Sequence, residues 1–464
     1  MERGVSAMKK ILLIMMTVTT ALVMTACSGK TNRQTSSEDY KYSSYVYDDN
    51  EAQFYMSENA AASETGYYYI TGAPVNKNYN NKYIYYYDMI KDMTIPLCSK
   101  VDCDHRTDEC EAYISQNICV GSKIWYHNER LYMIEKTEEK DILVSYDKTM
   151  RDKKEEKTLS INGLSVNKNS KNACITNGKL YYELSGDNSL FICAVSLNSD
   201  EQAYVVKEYV SEYNYYERVS LYPIEDKIYV NWLSGVSADK SLYYIEQIDI
   251  STDKVSRLCD MNEKYPEISS TIINWNSETY FDKDGNLYFT CVDKDNYMVK
   301  KLNISTGDIR DLYVQELQHE KDYGYVHLKN YDGNYIYIYK GVNLMALSGK
   351  PLDEQFKKYD NYIYILDTDG NIKDTVILNN TDEKVSGNIS AEFYGGDERC
   401  LLIGFSTHDI KGLELSEEEQ NLRIKLEDEV FKNKKGFVDV NVSAILDKSQ
   451  IGSGNITLEP VTPE

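Results

Sequence analysis

Positive charge is the first shortage of this 464-residue chain: 51 Lys and Arg face 74 Asp and Glu, a formal net charge of −23. A surface of that sign repels phosphate backbones, so nucleic acid is not the expected partner. Proline is scarce, at 7 residues, and glycine contributes only 24, which removes collagen-like and low-complexity classes. Histidine occurs five times, at His105, His127, His319, His327 and His408, and no two lie within one helical turn of each other. The chain has no H-E-x-x-H, no G-x-S-x-G, no Walker-type phosphate loop and no dinucleotide fingerprint, which argues against the common hydrolases. Residues 282–286 and 367–371 have the Asp and Gly content of calcium loops, but the carboxylate spacing and the distal Glu are missing, so both read as hairpin turns.

Long apolar runs are limited to Ile11 to Val23, which is shorter than the roughly 20 residues of a spanning helix. Lys9 and Lys10 precede that run, and Met24-Thr25-Ala26-Cys27 and a polar stretch follow it. This pattern is a secretory signal. It resembles a bacterial lipoprotein signal, with Met24 in place of the usual Leu, and the resemblance implies that Cys27 becomes the acylated, palmitate-bearing first residue of the mature chain. Met8 is an alternative start. The expected organisation is a signal peptide over 1–26, a lipidated Cys27 with a flexible tether to residue 44, and one folded domain over 45–464.

Tyrosine dominates what is present, with 43 copies against 9 Phe and 3 Trp. A turn followed by an aromatic-ending strand start recurs at seven places: 65–69, 128–132, 177–181, 225–229, 284–288, 332–337 and 396–401. The steps between their second residues are 63, 49, 48, 59, 48 and 64. A second turn signature follows in every unit, as in Tyr146-Asp147-Lys148-Thr149 and Leu302-Asn303-Ile304-Ser305. Asn, Asp and Gly supply hairpin backbone angles, and flanking aromatic and β-branched residues favour strands. Two hairpins per unit make a four-stranded sheet, and the repeat predicts an all-β, seven-bladed β-propeller, with six blades as the alternative. A strand from Tyr45 to Tyr55 is expected to close the ring against the last blade. Ser416 with Glu419, and Leu422, Leu426 and Val430, predict a short helical insertion over 416–434 in that blade. Most Tyr fill half-buried strands; Tyr213, Tyr215, Tyr216, Tyr323 and Tyr325 sit in loop-like segments where they could stack a ligand.

The densest local chemistry lies in the loop 96–119, which carries Cys98, Cys103, His105, Cys110 and Cys119. Three states fit it: a disulfide staple, which an oxidising compartment permits and which is the leading expectation; a zinc site; or reduced thiols. The C-x4-C-x-H-x4-C spacing is uncommon for zinc, and one intervening residue makes convergence of Cys103 and His105 awkward. The remaining cysteines sit singly in strand-like runs, as small buried hydrophobes do.

The lipoprotein start, the Tyr-rich units, the PLC…C-x-H…C loop and the closing segment Ala444 to Gly452 together resemble an uncharacterised family of propeller-type surface lipoproteins from Gram-positive gut bacteria. The resemblance implies fold and location, and carries over no catalytic residue. The expected function is that of a monomeric, lipid-anchored extracytoplasmic binding protein, facing a glycan, a peptide or an envelope protein. The alternatives are a propeller-based lyase or glycoside hydrolase and a structural envelope assembly factor.

Overall fold

The computed structural model describes residues 41–47 except 43, 59–72, 82–114 except 104 and 106, 123–166, 173–186, 189–210, 217–237, 240–275, 278–316 except 294, 324–342, 361–378, 385–410 and 440–461. The chain divides into two units, Met1–Ser44 and Tyr45–Glu464. The candidate lipidation residue Cys27 and the expected helix 416–434 lie outside the described residues.

Among the described residues the second unit builds seven antiparallel sheets, each laid down in chain order. Blade 1 is Ala60–Ala62, Gly66–Gly72, Lys82–Asp88 and Met93–Pro96; blade 2 is Trp125–His127, Arg130–Lys136, Asp141–Tyr146 and Lys154–Thr158. Blade 3 begins with the pieces Ser165–Val166 and Ala173–Thr176 and continues through Lys179–Ser185, Ser189–Ser196 and Tyr204–Val210. Blades 4 to 7 span residues 217–260, 279–316, 324–377 and 385–460. First strands of most neighbouring blades touch, including Ala60–Ala62 against Val385–Gly396 of the last blade. The fold is a seven-bladed β-propeller.

Every turn signature read from the sequence joins the first and second strands of a blade, and every second signature joins the third and fourth. The reason is local. Asn177 and Gly178 both have positive φ, 48° and 68°, which is the backbone of a tight two-residue hairpin turn. Asp282 and Asp332 use one carboxylate oxygen to accept turn N–H groups, while the other accepts the phenol of a Tyr on the next strand: Tyr288 Oη to Asp282 at 2.9 Å and Tyr337 Oη to Asp332 at 2.7 Å. A Phe in those positions would pack equally well but leave the carboxylate short of a donor. Much of the tyrosine excess is therefore structural, with Tyr67, Tyr69, Tyr83, Tyr85, Tyr181, Tyr182, Tyr288 and Tyr337 all buried. Apolar clusters between blades complete the core, such as Ile363, Ile365, Leu401, Ile403 and Leu446 between blades 6 and 7.

Among the described residues the last sheet takes all four of its strands from residues 385–460; residues 48–55 of the expected closing strand lie outside the described residues. A polar clasp joins the last blade to the first. Arg399 holds Asp397 through Nε at 2.9 Å and Nη2 at 2.7 Å, and donates across the seam to the Glu64 carbonyl at 2.8 Å and the Ser63 carbonyl at 2.6 Å. Tyr67 Oη reaches Asp397 at 2.7 Å from the blade 1 side. Tyr45 contributes its ring, with the Arg399 guanidinium stacked 4.0 Å from its centroid. A helical segment that the periodicity did not announce, Met261–Lys264 and Pro266–Trp275, joins blades 4 and 5. Its local cause is Asp260, whose carboxylate caps the Asn262 and Glu263 N–H groups, followed by Pro266 at the start of the longer helix.

Several carboxylates have proton affinities below the ordinary range, which sets the acid limit of stability. Burial acts against ionisation of Asp332 and Asp253. Lys448 with Tyr337 outweighs it at Asp332, and Tyr181, Tyr204 and Lys179 do so at Asp253. Asp367 is held far down by Asn371, its turn N–H groups and Lys373. A carboxyl depressed in the folded state contributes stability above its unfolded value of about 4 and loses that contribution as pH falls through the folded value. The urea midpoint is expected to be steady between about pH 7 and 5 and to fall steeply below about pH 4; a midpoint unchanged down to about pH 2.5 would contradict these pairings.

Candidate functional site

The Cys/His loop is an excursion from the outer strand of blade 1. That strand is split. Met93–Pro96 pairs with the outer part of Lys82–Asp88, as in Tyr85 opposite Pro96, and Tyr113–Ile114 resumes the pairing, with Tyr83 opposite Tyr113. The two cut ends meet at one residue: Leu97 N–H donates to the Ile84 carbonyl at 3.1 Å, and Ile84 N–H donates to the Ala112 carbonyl at 2.9 Å. The blade is thus complete without residues 98–111, which leave and return at the same rung.

Inside the excursion the donor atoms of Cys98, Cys103, His105 and Cys110 all lie within 4.8 Å of one another. His105 has φ +55°, in the left-handed region that His tolerates better than most residues. That turn lets His105 and Cys103 converge across a single residue, which the spacing alone made awkward. His105 Nδ1 stands 3.4 Å from Cys110 Sγ. Cys98, Cys103 and Cys110 are free thiols in the structure, and Cys119 lies outside the described residues. Burial opposes ionisation of Cys98, yet backbone N–H groups of Lys100 and Glu111, with the thiols of Cys103 and Cys110, hold its thiol below the usual value. Burial pushes the Cys110 thiol up to about 12, against the Ala112 N–H group and with help from Cys103 and Cys98.

The rest of the excursion is thinly supported. Glu111 accepts from Ser99 N–H at 2.7 Å and Ser99 Oγ at 2.8 Å, and Lys100 Nζ donates to the Glu109 carbonyl. Leu97, Cys110 and Ala112 are buried at its base. At its tip Val101 is 97 % exposed. Sequence reasoning found the four donors but missed Glu111 as the strut and Val101 as the tip. The only signal for the latter was a lone apolar residue between Lys100 and Asp102.

The other candidates do not join this site. Tyr213, Tyr215, Tyr216 and Tyr323 lie outside the described residues, and Tyr325 is placed only by its backbone, opposite Gly341 in blade 6. Among the described residues no helix is long and apolar enough to cross a membrane.

No protein-family model matches the chain, and no curated protein matches it. Solved structures match the chain at low identity. A prolyl endopeptidase is 9 % identical, with a TM-score of 0.44 over 89 % of this chain and 51 % of its own. Oligogalacturonate lyase from Vibrio parahaemolyticus is 11 % identical, with a TM-score of 0.40 over 76 % of this chain and 86 % of its own. TolB from Acinetobacter baumannii is 12 % identical, with a TM-score of 0.32 over 66 % of this chain and 62 % of its own. This chain therefore spans about half the length of the endopeptidase it matches.

Proposed function

We propose that the protein is an extracytoplasmic binding protein, lipid-anchored through Cys27, which presents the blade 1 excursion to a protein or peptide of the cell envelope. The observation that carries this reading is the placement of residues 98–111. The sheet closes at Ile84 without them, and they put Val101 almost wholly in solvent. A segment the scaffold does not need, fixed at both ends to a rigid blade, is how folds display recognition loops. An apolar tip flanked by Lys100 and Asp102 suits a protein groove better than a glycan, whose recognition calls for convergent polar groups and stacking rings. Lys9-Lys10, the apolar run Ile11 to Val23 and Ala26-Cys27 support the anchored location, and the tether up to residue 44 would set the propeller off the membrane.

Anchoring is tested by Cys27→Ser, which is expected to move the protein from the membrane fraction to the soluble secreted fraction and to abolish labelling by palmitate. Retention in the membrane with labelling unchanged would refute it. Binding is tested by crosslinked pull-down of the full chain from native envelopes, washed at low and high salt. The expected result is a salt-resistant protein partner that Val101→Asp removes while leaving the thermal melt unchanged. Recovery of trimmed glycan fragments instead of a protein would favour an enzyme.

A further inference from the structure

We infer that Cys98, Cys103, His105 and Cys110 form a structural zinc site that fastens the blade 1 excursion. The inference stands on the loop's own geometry and not on the binding role proposed above.

Four soft or borderline donors, three sulfurs and one imidazole nitrogen, are the set that a closed tetrahedral zinc site uses. With Zn–S near 2.3 Å and Zn–N near 2.1 Å, tetrahedral donors stand about 3.5–3.8 Å apart. All four donor atoms lie within 4.8 Å of one another, and His105 Nδ1 and Cys110 Sγ are 3.4 Å apart. Small side-chain rotations bring the rest to the metal-bound separation. Four protein ligands leave no open position, so the site is structural and not hydrolytic.

The backbone is shaped for it. N–H groups two residues beyond Cys98 and Cys110, those of Lys100 and Ala112, point at the two sulfurs, as does that of Glu111 at Cys98. Such outer donors orient thiolate ligands and spread their charge. The left-handed turn at His105, with φ +55°, serves to aim the ring at the cysteines. Among the described residues of 97–112 the buried apolar ones are Leu97, Cys110 and Ala112, all at the base. On binding, the three thiols release three protons to solvent and the two-plus ion leaves the cluster with one net negative charge. No oxidant or reductant takes part.

The test is the metal content of the full chain purified from membranes in detergent without chelator. One zinc ion per chain is expected. Cys103→Ser and His105→Ala should each lower zinc retention by about tenfold or more, whereas Cys193→Ala, in a buried strand of blade 3, should leave it unchanged. After exchange for Co2+, the wild type should show thiolate-to-metal charge transfer and the intense visible bands of tetrahedral cobalt. Tryptic cleavage after Lys100 should quicken about tenfold on metal removal, with the propeller's far-UV dichroism kept. Wild-type protein without zinc, whether its cysteines are reduced or have lost two hydrogens per disulfide, would overturn the assignment. So would stoichiometric iron or copper, or zinc that survives Cys103→Ser.

Discussion

Replacing Arg399 by Ala is expected to lower the unfolding free energy by about 3–5 kcal/mol, read from urea denaturation at neutral pH. The side chains of Arg399 and Asp397 are each 1 % exposed, so the pair has no solvent to fall back on. Without the guanidinium, Asp397 would be a buried carboxylate left with Tyr67 and turn N–H groups, and the Ser63 and Glu64 carbonyls would lose their donor. The loss falls on the seam between the last and first blades, where, among the described residues, the two sheets share no strand. Arg399→Lys should recover only part of it, since an ammonium cannot hold Asp397 and reach both carbonyls at once. A change below about 1 kcal/mol for Arg399→Ala would mean that the ring closes by other means.

Lys448→Ala is expected to cost a similar amount, about 3–5 kcal/mol, at the neighbouring seam between blades 6 and 7. Lys448 Nζ lies 2.6 Å from Asp332 Oδ2, and both side chains are buried. Asp332 also accepts from Tyr337 and from the Asn334 and Tyr335 N–H groups. Removing the lysine therefore strands a carboxylate that three other groups still need. Pairing Lys448→Met with Asp332→Asn removes both charges while keeping an acceptor for the turn, and should restore more than half of the loss. If the double variant is no more stable than Lys448→Ala, the cost is one of packing and not of charge.

The blade repeat was legible in the sequence because its determinants are local. Asn177-Gly178 and Asp332-Gly333 must turn where they stand, and the strands beside them alternate within a few residues. The second signature was legible for the same reason, since Asp249 and Asn303 accept N–H groups from residues two or three positions on. The closure was not legible, because Tyr67 and Asp397 meet only after the whole ring has been built. Nothing local tells Tyr45 to lend its ring to Arg399. The site fell between these cases. Its donors were visible as a cluster, but their convergence depends on the φ of His105 and on Leu97 and Ala112 meeting at Ile84, both of which are set by the fold. The helix Pro266–Trp275 was missed although Asp260 and Pro266 marked its approach, since it is only ten residues long and its β-branched Ile268, Thr271, Ile272 and Ile273 are residues that favour strands.

The most direct test of the proposed role is a photo-reactive amino acid at position 101 of the full-length, anchored chain, irradiated in intact cells. The account predicts a covalent adduct with one envelope protein. That adduct should be missing when the same probe replaces Ile372, which is 52 % exposed on the outer strand of blade 6. No adduct from position 101, or the same adducts from both positions, would contradict a recognition role for the blade 1 excursion.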